Sequence, residues 1–227
     1  MQNIHIVGDS TVSSYEEKNR PQAGWGEMLQ ELLPLSIKVY NHAASGRSSK
    51  SFKDEGRLEA FAHSLNKGDL LLIQFGHNDE KEDQQRRTEP YTTFQAYLAK
   101  YIEEARKNEA IPILMTPVER RHFNEDGLLL DTHGEYPVAI KKLSTKLNTP
   151  LIDLTEQTRK LLKRLGPAES KRLFLWLERG EHPNYKEGIQ DDTHFCEFGA
   201  REIAMIVCKQ LHTLKLIEIM KNEEELK

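Results

Sequence analysis

Four small polar clusters, far apart in a chain of 227 residues, hold the side chains that could do chemistry. They are Gly8-Asp9-Ser10-Thr11, the small-residue loop 41–49 with Gly46 in it, Gly76-His77-Asn78-Asp79, and Asp191-Asp192-Thr193-His194. Acyl transfer through a serine needs a nucleophile, a base in contact with it, a group that orients the base, and donors for the oxyanion. Ser10 is the candidate nucleophile, because it follows the apolar run Ile4 to Val7, and an open α/β sheet places its chemistry at the ends of buried strands. Among nine histidines, His194 best fits the base. Asp191 stands three residues before it, and in one turn such a pair brings a carboxylate to one imidazole nitrogen and leaves the other free. Asp192 is a rival carboxylate, and His42 and His77 also fall at strand ends. For the oxyanion, the Ser10 and Gly46 N–H groups follow strand ends, Gly46 has no side chain to block approach, and Asn78 offers a neutral amide donor. Three of the clusters also have a simpler reading: a Ser/Thr-rich turn, an acidic helix N-terminus over 191–194, a turn asparagine.

Five apolar runs read as the strands that position these clusters: Ile4 to Val7, Ile37 to Tyr40, Asp69 to Phe75, Ile111 to Met115 and Leu151 to Leu154. Helical periodicity marks 24–33, 58–65, 94–105, 138–147, 156–165 and a last helix from near Glu197. Residues 80–90 and 118–137 read as loops, and Leu173 to Leu177 as a helix end or a short extended piece. Strands alternating with helices predict a three-layer α/β/α sandwich around a five-stranded parallel sheet, flavodoxin-like in order. Parallel strands end on one edge, so three of the clusters should meet there. No linker or repeat divides the chain, which reads as one domain over 1–227 with a frayed acidic tail over 220–227.

Composition narrows the function. A net charge of -4 leaves no footprint for nucleic acid, and no apolar run approaches a membrane span. Cys196 and Cys208 are too few for a disulfide framework and read as core thiols. No Cys/His spacing suggests a metal, and no cofactor is expected. The first strand begins too close to Met1 for a signal peptide, which predicts a cytoplasmic protein unless a leader has been removed.

In order and spacing the four blocks resemble the SGNH (GDSL-like) hydrolase superfamily, and no Gly-x-Ser-x-Gly elbow points to the ordinary α/β-hydrolases. The resemblance implies Ser10 as nucleophile, His194 as base, Asp191 rather than Asp192 as its orienting carboxylate, and Ser10 N–H, Gly46 N–H and Asn78 as the oxyanion hole. Gly-Asp-Ser-Thr, Ala-Ala-Ser-Gly-Arg-Ser, Phe-Gly-His-Asn-Asp and Asp-x-Thr-His are similar to one branch, the rhamnogalacturonan acetylesterases. That branch removes acetyl groups from pectic polysaccharide, so the implied partner is an acetylated oligosaccharide, imported if the protein is cytoplasmic. The wider family also contains lipases and thioesterases, which are the competing expectation. A flavodoxin-like phosphate or FMN site at Ser10 to Ser14 is a third, but it leaves Asn78, Asp191 and His194 without a role.

For substrate contacts, Arg47, Lys50, Arg86, Arg87, Arg120 and Arg121 lie on loops after strands two to four, and arginine forks suit a galacturonate carboxylate. Glu80, Glu82, Asp83 and Glu119 are interspersed with them. His77 lies within its cluster, and Trp176 and Tyr185 could stack on sugar rings, although Trp176 also suits a core position.

Overall fold

The computed structural model describes residues 2–217; the tail expected over 220–227 lies outside them. In chain order the elements are β1 (Ile4–Gly8), β2 (Gln22–Ala23), α1 (Trp25–Met28), β3 (Val39–Asn41), α2 (Ser49–Asp54), α3 (Arg57–Ala62), β4 (Leu70–Gln74), α4 (Gln95–Lys107), β5 (Ile111–Met115), α5 (Tyr136–Leu147), β6 (Leu151–Ile152), α6 (Leu154–Glu169), β7 (Phe174–Leu177), β8 (Ile189–Cys196) and α7 (Glu197–Thr213). The five apolar runs form one parallel sheet in the order β3-β1-β4-β5-β6. This is the flavodoxin-like order, and the chain reverses direction across the sheet beside β1. Ser10 therefore emerges at the topological switch point.

Strand alternation divides the core in two. Ile4 and Ile6 of β1, Leu70 and Leu72 of β4 and Ile113 of β5 pack against Trp25 and Leu29 and against Ile203 and Val207 of α7. Val7, Leu71, Ile73 and Leu114 face the other way, against Phe52, Leu98, Tyr101 and Ile140 of α2, α4 and α5. Both faces of the central strands are buried, which is why they read as unbroken apolar runs rather than as alternating ones.

Three features differ from the sequence pattern. The helix over 24–33 is one α-turn, α1, continued by a 3₁₀ turn over Leu29–Leu32. The α2 helix lacks an apolar stripe, having only Phe52, and no periodicity marks it. Its cap defines it instead: the Ser48 hydroxyl accepts from Ser51 N at 3.0 Å, and the Ser51 hydroxyl accepts from Ser48 N at 2.9 Å. The largest difference is a second sheet, antiparallel, in the order β2-β8-β7. Leu173 to Leu177 resolves as the extended piece, and the stretch that could have been a helix N-terminus, 191–194, lies within β8.

Candidate active site

Ser10 sits in a turn built by its neighbour. The Asp9 carbonyl accepts from Val12 N, Ser13 N and the Ser13 hydroxyl, while Asp9 Oδ1 accepts from Thr11 N at 2.9 Å and Thr11 Oγ1 at 2.8 Å. Behind the turn, Gln74 Nε2 donates to Thr11 Oγ1 and Trp25 Nε1 donates to Gln74 Oε1, both at 2.8 Å. Gly8 is required by close packing: a Cβ there would lie 2.7 Å from Val12 Cγ2 and 2.9 Å from the Gln74 carbonyl oxygen. Tyr15, which sequence reasoning missed, donates its hydroxyl to the Ser10 carbonyl at 2.7 Å; burial pushes its pKa up to about 12, so it stays a donor. Only its position five residues downstream could have signalled it.

His194 comes from the other sheet. Its Nε2 lies 3.0 Å from Ser10 Oγ, and its Nδ1 lies 2.7 Å from Asp191 Oδ2. The strand is irregular at this point. Phe174 pairs with Phe195, but the next β7 residue, Leu175, pairs with Asp191, so residues 192–194 have no opposite number on β7. Asp191 Oδ1 accepts from Thr193 N at 2.7 Å and His194 N at 2.9 Å, which folds this excursion back over the carboxylate. Burial pushes the Asp191 carboxyl up, but the His194 ring and these two N–H groups outweigh it, and its pKa falls below the usual carboxylate value. An ionised carboxylate on Nδ1 fixes the tautomer in which Nε2 can accept the serine proton.

The other two clusters lie alongside. Ala44 N donates to the Gly8 carbonyl at 3.0 Å, tying the loop after β3 to the end of β1. Gly46 has a left-handed backbone (φ +78°), and a Cβ there would meet nothing within 4 Å, so the space beside it is open. Asn78 Nδ2 donates one hydrogen to the Arg47 carbonyl at 3.1 Å and has a second to offer. Among the described residues no protein group accepts from the Ser10 or Gly46 N–H.

The sequence-predicted substrate contacts fare differently. His77 is 3% exposed, with Nδ1 3.3 Å from Asp9 Oδ2 and its ring edge-on to His133, so it cannot reach a substrate as expected. Burial pushes its pKa down to about 4. Among the described residues, none of the six cations is a free fork: Arg47 pairs with Glu55, Lys50 with Asp54, Arg86 with Asp83, Arg87 with Glu89, Arg120 with Glu80, and Arg121 with Asp192. Arg120 also donates to the Thr132 and His77 carbonyls, which makes it a strut between loops. The Tyr185 hydroxyl is spent on the Asn19 carbonyl at 3.0 Å, and Trp176 Nε1 donates to Asp192 Oδ1 at 2.8 Å. No group of three or more His, Cys, Asp or Glu side chains among the described residues could hold a metal ion. Among those residues, no helix is long and apolar enough to cross a membrane.

A doubly wound parallel sheet carrying serine, histidine and aspartate in a hydrogen-bonded row at its switch point has the arrangement of a serine hydrolase. The chain belongs to the GDSL-like Lipase/Acylhydrolase family, whose model matches residues 6–188. It is 47% identical over 213 residues to rhamnogalacturonan acetylesterase RhgT of Bacillus subtilis (94% of this chain, 90% of that one). A second B. subtilis relative, named "Probable rhamnogalacturonan acetylesterase YesY", is 42% identical over 219 residues, 94% of each chain. Among solved structures, YxiM of B. subtilis superimposes with a TM-score of 0.80 at 27% identity, over 94% of this chain and 57% of that one.

Proposed function

We propose that this protein is a serine acetylesterase that removes O-acetyl groups from rhamnogalacturonan oligosaccharides. The observation that carries the substrate is the 47% identity to RhgT across 94% of the chain; the Ser10–His194–Asp191 row supports the route. In that route His194 Nε2 takes the Ser10 proton as Ser10 Oγ attacks the acetyl carbonyl. The oxyanion is received by the Ser10 and Gly46 N–H groups and the free Asn78 hydrogen. His194 then gives its proton to the departing sugar oxygen, which leaves an acetyl-serine. Water, deprotonated by His194, attacks this ester; acetate leaves and Ser10 recovers its proton. Asp191 stays ionised throughout and stabilises the imidazolium.

The ion-paired rim suits a polar leaving alcohol more than a lipid. The test is a substrate panel: acetate release from acetylated rhamnogalacturonan oligomers, and turnover of aryl esters of increasing chain length, each with Ser10→Ala as control. Acetate release with a preference for acetyl over longer acyl groups is expected. A preference for long chains overturns the substrate, and full turnover by Ser10→Ala overturns the route.

A further inference from the structure

The excursion carrying His194 is held from outside as well as from within. Arg121, on the loop after β5, grips Asp192 twice: its backbone N donates to the Asp192 carbonyl at 2.8 Å, and its Nη1 donates to Asp192 Oδ1 at 2.6 Å. Trp176 Nε1 donates to that same Oδ1 at 2.8 Å. The Arg121 side chain is only 8% exposed, lies 4.9 Å from the Trp176 ring centroid, and sends Nη2 to the Pro167 carbonyl. Asp192, the first residue of the unpaired stretch, is thus held by the loop after β5 and by β7, and through Arg121 by the end of α6. The same excursion is held from within by the Asp191 bonds to Thr193 N and His194 N.

From this we infer that Arg121, Asp192 and Trp176 form a clamp that positions the His194 imidazole on Ser10. Asp192, which the sequence offers as a rival partner for His194, acts instead through the backbone that carries it. All three are positioning residues, and the inference rests on the reading of His194 as the base. A residue between Asp191 and His194 that lost its outer anchors would let the ring drift, and a displacement of about 1 Å at a reacting group costs on the order of a hundredfold in rate. The effect falls on kcat, because no clamp atom needs to touch the substrate.

The test compares Asp192→Ala, Asp192→Asn and Trp176→Phe on a small aryl acetate, with kcat normalised to the Ser10 sites titrated by an organophosphonate. Since Asp192→Ala strands the buried Arg121 charge, the double variant Arg121→Met/Asp192→Ala is measured beside it. Expected are a fall of about a hundredfold in kcat for Asp192→Ala and for the double variant, with KM within about threefold of the parent. Asp192→Asn keeps an acceptor oxygen and should recover most of the loss; Trp176→Phe removes one donor and should lose only a few-fold. In proton NMR the downfield His194–Asp191 resonance should broaden in the double variant while thermal unfolding stays cooperative. A double variant that folds and keeps kcat within twofold of the parent overturns the clamp, as does a loss confined to KM. An active Ser10→Ala control, by contrast, overturns the serine route itself.

Discussion

The two halves of the site are secured by different means. On the Ser10 side the turn is locked into the core: Asp9 and Thr11 are fully buried, and the Trp25–Gln74–Thr11–Asp9 chain of hydrogen bonds runs behind it. On the His194 side the residues stand in a small peripheral sheet, with 29% of the His194 side chain and 25% of the Asp191 side chain exposed. A nucleophile turn fixed by core contacts should report damage as lost stability. A base fixed by hydrogen bonds to neighbouring loops and strands should report it as lost rate. The comparison can be broken by any variant behind Ser10 that slows turnover without destabilising the fold.

Ser10→Ala should have the largest effect, a loss of at least about 10⁴-fold in kcat on an aryl acetate, with the unfolding midpoint unchanged. Asp191→Asn should come close behind. It disturbs the tautomer of His194 while leaving the scaffold in place, so kcat should fall by about 10⁴-fold at neutral pH with little change in urea midpoint. Asn78→Ala removes one neutral donor and should cost about 10²–10³-fold in kcat, read most cleanly as a kcat effect at saturating substrate.

The two remaining predictions concern stability. Burial holds the His77 pKa at about 4, below its ordinary value of 6.5, so between these pH values the unfolded chain binds the proton and the folded one does not. The contribution is fully present above pH 6.5 and is lost as pH falls toward 4. In urea titrations at a series of pH values, His77→Gln should flatten the decline by about 2–3 kcal/mol over that window. Gln74→Leu leaves the buried Trp25 indole N–H without an acceptor and should cost about 2 kcal/mol in urea unfolding, with kcat per titrated Ser10 nearly unchanged. A large kcat loss in Gln74→Leu would erase the distinction between the halves.

The same asymmetry decides what could be read from the sequence. Parallel strands buried on both faces announce themselves as apolar runs, so β1, β4 and β5 were legible, and with them Ser10 after β1 and Asn78 after β4; Gly46 follows the edge strand β3, and its small-residue loop marked it instead. The strand carrying Asp191 and His194 was not. Ile189 to Cys196 has five consecutive polar residues and an unpaired excursion, which together erase the period-two pattern. The i, i+3 spacing in one turn found the Asp191–His194 pair; the excursion achieves that proximity through two backbone N–H bonds to Asp191. Charge on loops misled most. Composition counts arginines but does not show that Glu55, Asp83 and Glu80 already answer Arg47, Arg86 and Arg120.

The β7–β8 hairpin has one more consequence. Its strands are in register from Leu175↔Asp191 to Leu177↔Ile189, and 178–188 forms the connection between them. At the tip, Asn184 Nδ2 donates to the Glu17 and Arg20 carbonyls, and Tyr185 lies against Asn19, lacing the hairpin to the loop after Ser10. Lengthening a surface loop adds little closure entropy, only about 0.6 kcal/mol per doubling. What limits new length at this tip is therefore the lacing rather than closure entropy: a tip rebuilt without Asn184 and Tyr185 also releases the loop after Ser10.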